Sequence, residues 1–149
     1  MLASLCPEDD ILLAAPVHNR QQLFDFAAQH LQLRFGLNPT EIVHQLEQRE
    51  KLGSTGLGQG VAIPHARIPG LSVMRAIYIQ PLQPILFDAP DGKPVGKFLF
   101  MVVPEHAGQQ HLQQLADIAR MFSQRPLRSA LRAASGTKQV SQLLCEYAG

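Results

Sequence analysis

The residues best equipped to do chemistry lie between Arg49 and Arg67, and His65 is their centre. A neutral imidazole is a nucleophile and a proton carrier near neutral pH. The approach to it holds glycines at 53, 56, 58 and 60, which leave backbone N–H groups unshielded by side chains. Ser54 and Thr55 add hydroxyls there, and Arg49 and Arg67 add guanidinium groups. Such donors are what an oxyanion such as phosphate requires. The combination reads as a phosphorylatable histidine in an anion site.

Other chemistries find less support. Gly56-x-Gly58-x-Gly60 precedes a strand, where the dinucleotide fingerprint follows one, and no Gly-Lys-Ser/Thr triplet marks a phosphate-binding loop. No bound nucleotide is expected, so a phosphoryl group must arrive on a donor. His111 opens a helix after the most apolar strand, and spacing leaves it either facing solvent or sharing the site of His65. His106 has less reason to point inward. A zinc site from His65, His106 and His111 lacks the helical i,i+4 pair or cysteine pairs typical of such centres, and no metal is expected. His18, His30 and His44 read as helix-surface or helix-end residues. Cys6 and Cys145 lack the context of nucleophilic thiols, and no Gly-x-Ser-x-Gly elbow supports a hydrolase.

The elements that must position His65 follow from pattern and punctuation. Ile11 to Leu13 reads as a strand closed by Pro16. Asn19 caps a helix to about Phe35, terminated by Gly36. Asn38-Pro39-Thr40-Glu41 starts a second helix, with Arg49 in its last turn. Val61 to Ile63 is a short strand that Pro64 stops or pushes to a sheet edge, and Arg67 to Ser72 is a turn. Met74 to Gln80 is a strand, and a connection with a Pro90-Asp91-Gly92 turn leads to Phe98–Val103. That last strand is apolar on both faces and therefore central. Leu112, Leu115, Ile118, Ala119 and Phe122 form the stripe of a helix that Arg125-Pro126 stops; shorter helices follow over 127–134 and from Thr137. The expected fold is α/β, a central mixed β-sheet flanked by helices on both sides.

Totals narrow the classes further. The 149 residues predict one domain over 1–149, and a chain 46% apolar and 17% charged is globular rather than disordered. A formal charge of +1 without a basic run leaves no footprint for nucleic acid. No apolar run reaches the roughly 20 residues of a membrane span, and the N-terminus lacks a basic start and long apolar centre. A cytoplasmic location follows as an expectation. Two cysteines near opposite ends permit one disulfide, but two free thiols are expected there.

The segment Arg49-Glu-Lys-Leu-Gly-Ser-Thr-Gly-Leu-Gly-Gln-Gly-Val-Ala-Ile-Pro-His65-Ala-Arg67 resembles the active-site segment of bacterial phosphotransferase-system enzyme IIA domains. The resemblance is to the fructose/mannitol/nitrogen-regulatory type, and it is nearest to the nitrogen-regulatory branch. Weaker agreement continues through Phe98 to Pro104 and His111 to Phe122. What the resemblance implies is a phosphohistidine at His65, a second active-site histidine at His111, and a phosphate site at Arg49 with Ser54 and Thr55 nearby. It implies a histidine phosphocarrier protein as donor and no cofactor. It also implies regulatory targets such as sensor kinases or transport systems, or alternatively a IIB component in fructose or mannitol uptake. Gln59 receives no role, and Ala66 stands where glycine is frequent in the family. A docking partner needs an apolar rim around His65; Leu57, Ile68 and Leu71 either supply it or belong to the core.

Overall fold

The computed structural model describes residues 6–148, so the part of the N-terminal reading that falls on residues 1–5 lies outside it. After a 3-10 turn at Glu8–Asp10 come β1 (Ile11–Ala15), α1 (Arg20–Phe35) and α2 (Pro39–Lys51). Then follow β2 (Gly56–Gly58), β3 (Val61–Ala62), β4 (His65–Ile68), β5 (Arg75–Pro81) and β6 (Lys97–Pro104). Three helices close the chain: α3 (Gln109–Phe122), α4 (Arg125–Ala133) and α5 (Thr137–Ala148).

The apolar run of β6 lies in the middle of a six-stranded mixed sheet, as its two buried faces require. It pairs antiparallel with β5 on one side and parallel with β3 and β4 on the other. Strand alternation sorts the side chains. Phe98, Phe100 and Val102 join Ile77, Ala66 and Ile68 beneath Leu23, Phe24, Ile42 and Leu46 of α1 and α2. Leu99, Met101 and Val103 join Tyr78, Val61 and Ile63 beneath Ile118, Phe122, Leu127, Leu131 and Leu144 of the last three helices. Helices thus cover both faces. Phe24 fixes the first layer by edge-on contacts to Phe87 and Phe100, at 6.0 and 5.9 Å between centroids.

Four local features refine the expected layout. The glycine-rich approach is a β2–β3 hairpin. Gln59 and Gly60 both take positive φ, 58° and 79°, the combination a two-residue I′ turn demands. Of the two outcomes expected at Pro64, the structure shows the sheet edge: β3 and β4 lie on either side of it in line, and β4 pairs only with β6 among the described residues. Val61 faces Lys97, Ala62 faces Phe98, His65 faces Met101 and Ile68 faces Pro104, which is one unbroken register across Ile63 and Pro64. The 67–72 turn is accordingly shorter, because Arg67 and Ile68 belong to β4. Lastly, Arg125-Pro126 opens α4 instead of merely stopping α3, since proline lacks only an N–H that the first helical turn leaves unused.

His30 also departs from its helix-surface reading. Its Nε2 lies 2.8 Å from Oδ1 of Asp10, and Arg34 donates to the same carboxylate from Nε at 2.8 Å and Nη2 at 3.3 Å. Asp10 is fully buried. Asp10→Ala strips two donors of their shared acceptor and leaves His30 facing a hole. Because Arg34 can turn to solvent, the cost falls at the low end for broken buried pairs, about 3 kcal/mol. A thermal unfolding midpoint lower by roughly 6–12 °C checks it. A drop under about 2 °C would show that the cluster does not hold the N-terminal turn to α1.

Candidate active site

His65 is the first residue of β4, at a stretch of sheet edge that β2 leaves uncovered because β2 pairs only with β3. Alternation points it, like Val61 and Ile63, toward the layer of α3. The end of α2 packs against β4 from the other layer and carries Arg49. The two layers therefore meet around one imidazole. A cavity of about 430 Å³ opens there, and Arg49, His65, Arg67 and His111 supply its charged and imidazole groups.

The tautomer of His65 follows from its partners. Nδ1 lies 2.9 Å from the carbonyl oxygen of Ile63, which can only accept, so Nδ1 carries the proton. Nε2 is then an unprotonated lone pair, and Arg49 Nε donates to it at 3.2 Å. Burial holds the imidazole below its ordinary value; the Ile63 hydrogen bond opposes this, and Arg49 and Arg67 push it lower still. The folded protein thus favours neutral His65, and protonation waits until pH has fallen below the free-histidine value of about 6.5. An NMR titration of the His65 ring should show a midpoint under that value. A midpoint above it would contradict the neutral nucleophile.

Arg49 is doubly anchored, with Nη1 donating to Gly53 O at 2.9 Å, while Nη2 makes no hydrogen bond among the described residues. The turn bearing Gly53 is closed by Glu50, whose buried carboxylate accepts from Thr55 N at 3.3 Å and from the Thr55 hydroxyl. Burial raises the Glu50 pKa, against the Thr55 hydrogen bonds and the nearby Arg49 and Arg20. Ser54 and Thr55 therefore lie outside the cavity wall. The Ser54 hydroxyl accepts from Gly56 N at 3.0 Å and faces Phe87 O, and the Thr55 hydroxyl is committed to Glu50. Glu50 was missed by the sequence reading. A carboxylate at a helix C-terminus opposes the helix dipole, and that misplacement was the available signal.

His111 sits in the first turn of α3 and does line the cavity. Its Nδ1 is buried without a hydrogen-bond partner among the described residues. Arg67 fixes that turn by donating from Nη1 to the carbonyls of Glu105 and Ala107, at 3.1 and 2.8 Å. His106 is exposed beside Glu105 and outside the cavity. Leu57, Ile68 and Leu71, rim or core by sequence, do not line this cavity. Ile68 is buried, Leu71 packs on the core and Leu57 lines another groove. Leu52 and Leu112, 84% and 55% exposed, flank the cavity instead, with Leu115 beside them.

Comparisons with known proteins identify the family and the fold. The family profile described as "Phosphoenolpyruvate-dependent sugar phosphotransferase system, EIIA 2" matches residues 4–147. The chain belongs to that family. The chain is 35% identical over 144 residues to a nitrogen regulatory protein of Bradyrhizobium diazoefficiens, covering 96% of this chain and 94% of that one. It is 36% identical over 102 residues to a fructose-specific EIIA component of Haloferax volcanii, covering 68% of this chain and 66% of that protein. The crystal structure of nitrogen regulatory protein IIA-Ntr from Neisseria meningitidis superposes with a TM-score of 0.91 at 39% identity, covering 96% of this chain and 98% of that one. In this EIIA 2 domain no helix among the described residues is long and apolar enough to cross a membrane.

Proposed function

We propose that this protein is a phosphorelay component of a nitrogen-related phosphotransferase system in the cytoplasm. It accepts a phosphoryl group on His65 Nε2 from a histidine phosphocarrier protein, and its phosphorylation state regulates targets such as sensor kinases or transport systems. The observation that carries the reading is the Nε2 lone pair, unprotonated and guanidinium-flanked, at the wall of a cavity.

The chemistry follows from those parts. The Nε2 lone pair attacks phosphorus in line. The donor's P–N bond breaks, and its electron pair returns to the donor imidazole. One P–N bond replaces another, so the protein needs to supply positioning and charge stabilisation more than covalent help. Arg49 turns from Nε2 to the phosphoryl oxygens, and its free Nη2 adds a second donor. Each charge-assisted hydrogen bond contributes roughly 1.5–3 kcal/mol. His111 offers a ring nitrogen from the opposite wall, where a phosphoryl oxygen or a donor side chain relieves its unpartnered Nδ1. Ser54 and Thr55 act indirectly, Thr55 by holding Glu50 and hence the turn that anchors Arg49. Leu52 and Leu112 supply the apolar contact on which the phosphocarrier docks.

The nitrogen-regulatory names of the Bradyrhizobium and Neisseria relatives favour the regulatory role. The fructose-specific relative supports a second reading, transfer onward to a IIB component for sugar uptake. The test is incubation with phosphoenolpyruvate, the relay's first enzyme and the phosphocarrier. An acid-labile phosphoryl adduct mapping to His65 supports the proposal, and its absence under conditions that charge the phosphocarrier removes it. Passing that adduct to a fructose IIB component at a rate matching uptake would favour the second reading.

A further inference from the structure

A second basic groove lies apart from the His65 cavity. Its volume is about 580 Å³, and it runs between the β2–β3 hairpin (Leu57, Gly58, Gln59) and α4. Arg125, Arg128, Ser129 and Arg132 come from α4 at the i, i+3, i+4, i+7 spacing that puts them on one helix face, opposite the buried Leu127 and Leu131. The first and last of these arginines are separated by about 10 Å along the axis at 1.5 Å per residue. Lys97 adjoins the same end of the sheet: its backbone N–H donates to Gly60 O in the hairpin at 3.1 Å.

The charges there are not neutralised. None of Lys97, Arg125, Arg128 and Arg132 pairs with a carboxylate among the described residues. Arg128 spends one nitrogen on the carbonyls of Phe122 and Ser123, at 3.1 and 2.6 Å, which fixes it at the end of α3. Arg125 and Arg132 have no such anchor. Burial and then the proximity of Arg132 and Arg128 hold the Lys97 ammonium below its ordinary value, so these cations repel one another in a confined space. The acid nearest the hairpin, Asp91, is occupied by the N–H groups of Gln59 and Lys93 at 2.9 and 3.1 Å. Three arginines thus line the groove, with Lys97 close to Arg128 and Arg132, and none of the four forms an ion pair among the described residues, in a chain whose formal net charge is only +1. Long arginine side chains rooted on one helix face and lining one groove can bring their planar forks together on adjacent phosphoryl groups, which offer more oxygens to three guanidinium groups than a single small anion does.

We infer that the groove between the β2–β3 hairpin and α4 binds a diphosphate, free or carried on an organic molecule, through Arg125, Arg128 and Arg132. Binding here uses guanidinium groups and needs no glycine-rich phosphate loop. It does not depend on phosphorylation of His65, because the two cavities share no lining residue.

Titration of the 15N-labelled full chain with pyrophosphate, and separately with a nucleoside diphosphate, tests it against sodium chloride at matched ionic strength. Saturable shifts are expected at Gly58, Gln59, Ser129 and Arg132 amides. Ligand at about ten times its Kd should raise the unfolding midpoint by roughly 3–5 °C. The double variant Arg125→Ala/Arg132→Ala should keep its fold and its phosphoryl uptake and bind at least tenfold more weakly. Equal affinity for the two ligands assigns recognition to the diphosphate alone. Tighter binding of the nucleotide assigns it to an organic diphosphate resting on Leu57. Non-saturating shifts, an effect reproduced by chloride or orthophosphate, or unchanged affinity in the double variant would each overturn the inference.

Discussion

His65→Ala is expected to take up no phosphoryl group from the charged phosphocarrier under conditions in which the proposed relay modifies wild type. The loss is total because the other five histidines lack what His65 has. Of those, only His111 lines the cavity, and it is not the one whose proton is assigned by a carbonyl and whose free nitrogen meets a guanidinium. The variant should remain folded, since the ring gives up two hydrogen bonds, to Ile63 O and from Arg49, each worth about 1 kcal/mol. Circular dichroism and the unfolding midpoint establish that the loss is chemical. Phosphoryl uptake by a folded His65→Ala protein would move the nucleophile elsewhere.

Arg49→Ala keeps the nucleophile and removes the charge that meets the transferred group. Losing a preorganised donor of this kind costs roughly 10²–10³ in rate. The variant should therefore acquire the same adduct slowly. Rapid-quench measurement of a single turnover separates the two phenotypes, and a rate within threefold of wild type would exclude Arg49 from charge stabilisation. The same experiment on His111→Ala should show a smaller decrease, about tenfold, as befits one hydrogen bond of about 1.4 kcal/mol. A wild-type rate there would leave His111 a structural residue.

Much of the fold was legible because its signals were local. Asn19 and Asn38 cap their helices through side-chain oxygens as their types predict, accepting from Gln22 N and from Thr40 N. The two-faced apolar run of Phe98 to Val103 announced a central strand. What stayed hidden depended on partners distant in sequence. Nothing around Pro64 says that β6 continues to bind the chain on both sides of it, and only the common register of Val61 and His65 on β6 reveals one edge strand. His30 looked like a surface residue because its partner, Asp10, lies twenty positions away across a turn. In the site, residue types named Arg49 and His65 correctly as neighbours, because a helix end and a strand start must be joined by the intervening hairpin. The same types misled at Ser54 and Thr55, whose hydroxyls serve the turn that carries Arg49. The choice between docking rim and core stayed open in the sequence for a similar reason: Ile68 follows the strand alternation into the core, and the exposed leucines come from helix ends at 52 and 112.

The central claim is that Nε2 of His65 is the nucleophile, with its identity dictated by the Ile63 carbonyl on the other nitrogen. Nitrogen-15 NMR of histidine-labelled protein, recorded before and after charging by the phosphocarrier, reads this directly. Phosphorus coupled to Nε2, with the proton retained on Nδ1, is the predicted result. Phosphorus on Nδ1 would contradict the account, because that nitrogen would first have to give up the hydrogen bond that orients the ring.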